Sequence, residues 1–293
     1  MKYYGLYTAI VTPFKDNKVD AEALKALIEA QIAGGVDGIV PVGTTGESPT
    51  LSHEEHMEVI RLAIEFAAGR CQVIAGTGSN STIEAIEMTK EAEAMGADGT
   101  LQVCPYYNKP SQEGVYRHFK AIADATSLPI LLYSIPGRSG IEIAVDTVAR
   151  LAADCPNIVA IKEAGGSVER VNQLVQALPE GFAILSGDDG LTVPFISCGA
   201  VGLVSVTSNV APAEMKALVD AALSGDGKKA LELQKKYYPL MKGLMSLDGN
   251  PVPIKAAMAL RGDMSWDIRM PLAPLAESKH GILTDLLKSY NLL

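Results

Sequence analysis

Apolar residues in this chain fall into two alternating kinds of run. Short stretches at 6–13, 38–43, 72–76, 99–105, 129–135, 158–163, 182–186 and 202–207 are mostly continuous in Val, Ile, Leu and Ala, with little polar alternation. Parallel strands covered on both faces read this way. Between them, 21–33, 53–68, 82–95, 112–125, 145–153, 168–177 and 212–223 repeat apolar residues at helical spacing. Eight strands spaced roughly 20 to 35 residues apart predict a closed (β/α)8 TIM barrel. The competing open, doubly wound sheet would carry GxGxxG after its first strand, and none stands there. Beyond Gly225 the strand pattern stops, and 228–247, 253–260 and 282–290 read as helices. The expected organisation is a barrel over 1–224 followed by a C-terminal helical extension over 225–293.

Composition narrows the function. With 25 Lys plus Arg against 34 Asp plus Glu, the formal charge is −9, so no basic stripe is available to neutralise nucleic-acid phosphates. An anionic substrate would need its own cation inside a pocket. Cys71, Cys104, Cys155 and Cys198 form no CxxC pair and read as reduced core residues of a cytoplasmic protein. The charge-free start, 3–14, is interrupted by Thr8, Thr12 and Pro13 and reads as a first strand rather than a signal peptide. The uncharged stretch from Gly190 carries glycines, prolines and hydroxyls, which suits a buried helix and strand better than a membrane span.

In a barrel of this kind, chemistry belongs at the C-terminal ends of strands and in the loops after them. Lys162 closes the apolar run Ile158-Val159-Ala160-Ile161. Desolvation would lower its pKa and free the amine to form a Schiff base with a carbonyl, unless the side chain simply reaches solvent. One strand earlier, Tyr133 stands where a hydroxyl can shuttle a proton, and Arg138 follows a Pro-Gly turn where a guanidinium can grip a carboxylate. A buried structural tyrosine and a surface ion pair are the plain alternatives. Gly43-Thr44-Thr45-Gly46 sets two hydroxyls among open backbone N–H groups, suited to an anion or to a simple turn. The tyrosine pair in Cys104-Pro105-Tyr106-Tyr107-Asn108-Lys109-Pro110 suits a contact surface or ordinary loop packing. His53 and His56 lack the HExxH pattern and a third ligand, so no metal site is expected. Asp188 and Asp189 read as a helix cap.

Taken together, GTTGES, CPYYNKP, LYSIPGR, IKEAGG, GLVSVTSNVAP and GNPVPIKAA, spread in this order over the whole chain, resemble the dihydrodipicolinate synthase branch of the N-acetylneuraminate lyase family. The resemblance implies a cofactor-free class I aldolase on a (β/α)8 barrel, usually a homotetramer. It would condense pyruvate with L-aspartate 4-semialdehyde to 4-hydroxy-2,3,4,5-tetrahydrodipicolinate, the committed step toward diaminopimelate and lysine. It further implies Lys162 as the Schiff-base residue, with Tyr133, Thr44 and a neighbouring subunit's Tyr107 as a proton relay. Thr45 would hold the pyruvate carboxylate and Arg138 the aldehyde substrate's carboxylate, while Gly187 and Val204 would line the pocket. An L-lysine effector site, at a subunit interface rather than in the barrel mouth, would draw on Ser48, Pro49, His53, His56, Asn80, Glu84 and Tyr106.

The sequence separates this branch from sialic acid lyases by Gly43-Thr44-Thr45-Gly46-Glu47 and by Arg138. It departs from the branch's common pattern at Ser134, where Asn is frequent, and at Gly165, where Ser or Thr is commoner. Two alternatives stay open at this level: a pyruvate-dependent aldolase or dehydratase of 2-keto-3-deoxy sugar acids, and a barrel that binds pyruvate or an amino acid without turnover.

Overall fold

The computed structural model describes residues 3–293. Eight strands close a barrel: β1 (Gly5–Ala9), β2 (Gly38–Val40), β3 (Gln72–Gly76), β4 (Gly99–Val103), β5 (Ile130–Ser134), β6 (Ile158–Glu163), β7 (Ala183–Ser186) and β8 (Gly202–Ser205). Each strand pairs in parallel with its sequence neighbours, and β1 closes the ring against β8 through Gly5↔Gly202 and Tyr7↔Val204. The helices between them are α1 (Ala21–Ala33), α2 (His53–Ala67), α3 (Thr82–Met95), α4 (Gln112–Ala123), α5 (Val145–Asp154), α6 (Val168–Ala177), α7 (Thr192–Ser197) and α8 (Pro212–Leu223). Beyond them lie α9 (Gly227–Ser246), α10 (Val252–Arg261) and α11 (Glu277–Lys288).

The strands read as apolar runs because both faces are buried. Inside the ring pack Tyr7, Val40, Ile74, Leu101, Leu131, Tyr133, Ala160, Leu185 and Val204. Ile130, Leu132, Ile158, Ile161 and Ile184 face the helices instead. The period of two along a strand thus puts Tyr133 on the face of Leu131 and Lys162 on the face of Ala160. Helix starts follow local chemistry: Ser52 and Glu55 form a capping box on α2, and the Ser81 side chain accepts from Glu84 N at α3.

Five strand expectations were too long at their C-terminal ends, 6–13, 38–43, 99–105, 129–135 and 202–207, the first two by the most. The first strand stops at Ala9, because Val11 N donates to the Asn209 side chain at 3.1 Å in place of a ladder bond. The second stops at Val40, since Val42 takes a left-handed φ of 50°, which costs a β-branched residue dearly. A short hairpin, Phe14–Lys15 against Lys18–Val19, was not foreseen.

The C-terminal helices are welded to the barrel rather than appended to it. Buried Lys255 on α10 pairs with buried Glu47 in the loop after β2, and its Nζ also donates to the Thr12 carbonyl at 3.0 Å. Glu47 in turn accepts from Arg269 N at 3.0 Å, while the Arg269 guanidinium holds Glu55 of α2 at 2.6 Å. That grip, from Arg269 above all, draws the Glu55 carboxyl down to a pKa of about 2. Removing one member of a buried pair strands the other. Lys255→Met is therefore expected to cost about 3–5 kcal/mol in urea unfolding, and adding Glu47→Gln should recover much of it. A loss for Lys255→Met below about 1 kcal/mol, the range of exposed pairs, would contradict this role.

Candidate active site

Lys162 and Tyr133 lie on adjacent strands in direct register, both facing the barrel interior near the strands' C-terminal ends. Lys162 is buried, and its Nζ stands 4.2 Å from the Tyr133 ring centroid. Burial lowers the amine's pKa from 10.5 to about 8; Asp189 opposes the fall and Arg138 adds to it. The Tyr133 phenol moves the other way, pushed up to about 12 by burial against the opposing pulls of Arg138 and the nearby Thr44 hydroxyl. A basic amine and a protonated phenol therefore share one enclosed space.

Glycine makes room for the lysine. A Cβ at Gly187, just after β7, would stand 3.0 Å from Lys162 Cε and 2.7 Å from Ala164 Cβ. Val204 is buried in the same interior layer.

A cavity of about 220 Å³ is lined by Thr44, Leu101, Val103, Tyr133, Ile135 and Arg138, among others; it reaches Lys162 only through its neighbour Tyr133, and Thr45, Gly187 and Val204 also stand outside the lining. Arg138 is exposed, and its Nη2 donates to the Asn250 carbonyl at 2.9 Å. Thr45 is buried beneath the same loop, where its hydroxyl accepts from Asn250 Nδ2 at 3.0 Å.

The remaining candidates divide. Ser48, Pro49 and Tyr106 line this same cavity, as does Gly76, whose carbonyl meets buried His56 Nε2 at 2.7 Å. Burial lowers the His56 pKa, so the ring is neutral at ordinary pH. Asn80 donates to the Tyr106 carbonyl at 3.1 Å, and Glu84 accepts from Ser79 Oγ. His53 points to Glu91 at 3.2 Å on the surface and does not line the cavity. Tyr107 is 89% exposed, with a left-handed φ of 71°, and also stands outside the lining.

Sequence reasoning underrated Asp189. Asp188 does cap the short helical turn that follows it, accepting from Gly190 N at 2.8 Å. Asp189, however, is buried, accepting from Ser205 Oγ and from Val206 N at 3.0 Å, and its charge bears on Lys162. Its place just past the end of an apolar strand was the available signal. The departure at Gly165 also has a local reason: a Cβ there would fall 2.6 Å from Glu163 Oε1, which accepts from Gly165 N at 2.7 Å. Ser134 is buried and its hydroxyl finds no partner.

An amine of lowered pKa beside a protonated phenol, under a cavity with an arginine at its rim, is the arrangement expected for imine chemistry on an anionic carbonyl compound. Comparison with known proteins agrees. The model of the dihydrodipicolinate synthetase family matches residues 2–290. The chain belongs to that family. It is 50% identical over 291 residues to the 4-hydroxy-tetrahydrodipicolinate synthase of Syntrophus aciditrophicus, covering 99% of both chains. Among solved structures, the 4-hydroxy-tetrahydrodipicolinate synthase of Methylacidiphilum fumariolicum SolV superimposes with a TM-score of 0.97 at 56% identity, covering 99% of this chain and 96% of that one. The Cyanidioschyzon merolae enzyme, solved with lysine bound, gives a TM-score of 0.96 at 42% identity, covering 100% of this chain and 99% of that one. With membership of the dihydrodipicolinate synthetase family comes the lyase activity these relatives are named for, the synthesis of 4-hydroxy-tetrahydrodipicolinate.

The close approach of Gly187 to the lysine stem makes a sharp prediction for this family member. If Lys162 carries the imine, Gly187→Ala should lower kcat by about tenfold or more, because a small displacement of a reacting amine is costly, while circular dichroism stays unchanged. An unaltered kcat would show that Lys162 has slack the geometry does not provide.

Proposed function

We propose that the chain condenses pyruvate with L-aspartate 4-semialdehyde through an imine on Lys162, in the pathway to diaminopimelate and lysine. The observation that carries the reading is the desolvated amine of Lys162 against the Tyr133 ring. A pKa near 8 instead of 10.5 leaves about 300-fold more neutral amine at pH 7.

The steps follow from the residues. Neutral Lys162 Nζ adds to the C2 carbonyl of pyruvate, and the carbinolamine loses its hydroxyl as water once a proton is delivered to it. The Tyr133 phenol, protonated at working pH and near the Thr44 hydroxyl, is the group poised to carry that proton. Loss of a C3 proton from the imine gives an enamine, whose C3 attacks the aldehyde carbon. The amino group of the aldehyde substrate then replaces Lys162 nitrogen at C2, closing the ring and freeing the enzyme. In our reading Thr45 holds the pyruvate carboxylate, and Arg138, anchored by the Asn250 carbonyl, offers its remaining N–H groups to the aldehyde's carboxylate. Gly187 and Val204 shape the pocket.

Tyr107 completes the relay from a neighbouring subunit, so we read the enzyme as a homotetramer; its exposure and strained backbone support a role outside its own barrel. Four free cysteines support a cytoplasmic location. No helix among the described residues is long and apolar enough to cross a membrane.

A second ligand is favoured by the cavity itself. Ser48, Pro49 and Tyr106 share it with Thr44 and Tyr133, which gives an L-lysine effector a short physical route to the relay. Glu84, Asn80, His53 and His56 stand outside that lining and would meet the ligand where it extends beyond the cavity, Glu84 at its ammonium group.

Two experiments test the reading. Borohydride with pyruvate should reduce the imine and add the reduced pyruvyl mass at Lys162, and Lys162→Ala should abolish the adduct. Since only the neutral amine reacts, trapping should level off above a pH of about 8 and fall about tenfold per pH unit below it. Absence of an adduct on the unaltered protein would refute the imine. For the effector, calorimetry with L-lysine should show binding that Glu84→Ala weakens by about tenfold or more, with matching loss of inhibition. No binding at millimolar lysine would remove the effector and leave the catalytic reading standing.

A further inference from the structure

The motif GNPVPIKAA lies far in sequence from every residue given a catalytic part above, yet its Asn250 meets two of them. Asn250 sits just ahead of α10, is only 8% exposed, and reaches the loop after β2 with its side chain and the turn after β5 with its backbone. Nδ2 donates to Thr45 Oγ1 at 3.0 Å, and the main-chain carbonyl accepts from Arg138 Nη2 at 2.9 Å. Its Oδ1 is buried without a partner. The base beneath it is rigid, since Lys255, one helical turn along, is locked to Glu47 and to the Thr12 carbonyl.

We propose that Asn250 is a positioning residue of the synthase, its side-chain amide aiming the Thr45 hydroxyl proton at the pyruvate carboxylate. The proposal rests on the reading of Thr45 given above. A hydroxyl carries one donor and two acceptor sites. When Nδ2 fills an acceptor site of Thr45, the O–H has no call on that neighbour and is free to point into the site as a donor. Among the described residues no other hydrogen bond engages the Thr45 side chain, so its direction is set by Asn250. The two arms of Asn250 act separately. Arg138 is held by the backbone carbonyl, which every substitution keeps, whereas Thr45 is held by the side chain, which substitution removes. A side-chain change at Asn250 should therefore act on pyruvate and spare the aldehyde, although the residue touches the holders of both.

The test measures KM for pyruvate and for L-aspartate 4-semialdehyde in Thr45→Val, Asn250→Ala, Asn250→Asp and Asn250→Ala/Thr45→Val. Asn250→Ala should raise the pyruvate KM by about tenfold, the scale of a lost hydrogen bond to a charged ligand. The aldehyde KM should stay within about twofold, as uniform binding of that substrate is untouched. Asn250→Asp, which keeps size and shape and so guards against misfolding, should raise the pyruvate KM further. Its carboxylate would accept the Thr45 proton, reversing the bond and setting an anion beside an anion. In the double variant Asn250→Ala should add almost nothing to Thr45→Val. Equal rises for both substrates, or full additivity in the double variant, overturn the proposal in favour of a general structural role. A raised pyruvate KM in Thr45→Val beside an unmoved one in both Asn250 variants overturns the proposal alone. An unmoved pyruvate KM in Thr45→Val overturns the reading of Thr45 and the proposal with it.

Discussion

The proposed chemistry depends first on keeping one amine, that of Lys162, out of water. A lysine in solvent is a cation at any physiological pH and cannot attack a carbonyl. The barrel removes the solvent: Lys162 is buried, with Tyr133 on one side and Gly187 against its stem. Desolvation is the dominant influence on its pKa, and the opposing charge of Asp189 keeps the shift moderate. An amine lowered much further would be neutral but poor at returning as a protonated leaving group. One held near 8 can both attack and depart close to neutral pH. The same burial pushes Tyr133 up to about 12, which keeps its proton in place as a donor. One constraint, exclusion of water from the interior layer, thus sets the acid and the base together.

The proposed anion-binding side is built differently, on contacts between parts of the chain remote in sequence. Thr45 and Arg138 sit on loops after β2 and β5, and loops at a barrel mouth need support to hold a fixed geometry. The C-terminal helices supply it. Asn250 reaches both residues, Lys255 secures the loop through Glu47, and Arg269 ties that loop to α2 through Glu55. An acidic protein with a formal charge of −9 gives no long-range attraction to a dicarboxylic product or its precursors. In the proposed mechanism local cations and hydroxyls do that work, and the extension contacts Thr45 and Arg138 through Asn250.

What could be read from sequence follows from this division. The eight strands were legible because burial on both faces leaves unbroken apolar runs, and Lys162 stood out as the one cation inside such a run. The ends of the first two strands were not legible, because Asn209 and the left-handed Val42 stop β1 and β2 by contacts and backbone strain that no local pattern announces. Asp189 followed Asp188 and looked like part of the same cap; only the closing of β7 beside β8 turns it inward to Ser205 and Val206. Lys255 also interrupts an apolar stretch, but in a helix, and its partner Glu47 lies 208 residues away. Local periodicity finds elements and the residues at their ends. It is blind to pairings that only the closed fold creates, and those hold the candidate site in shape.

The most direct measurement is the titration of Lys162 itself, in protein carrying isotope-labelled lysine side chains, followed by nuclear magnetic resonance and assigned by comparison with Lys162→Arg. The account predicts a lysine signal titrating near 8 that is absent from the variant and separate from that of Lys255, which burial also lowers. A Lys162 signal that titrates with the exposed lysines would contradict it, because the interior would then not be excluding water from the amine on which the chemistry depends.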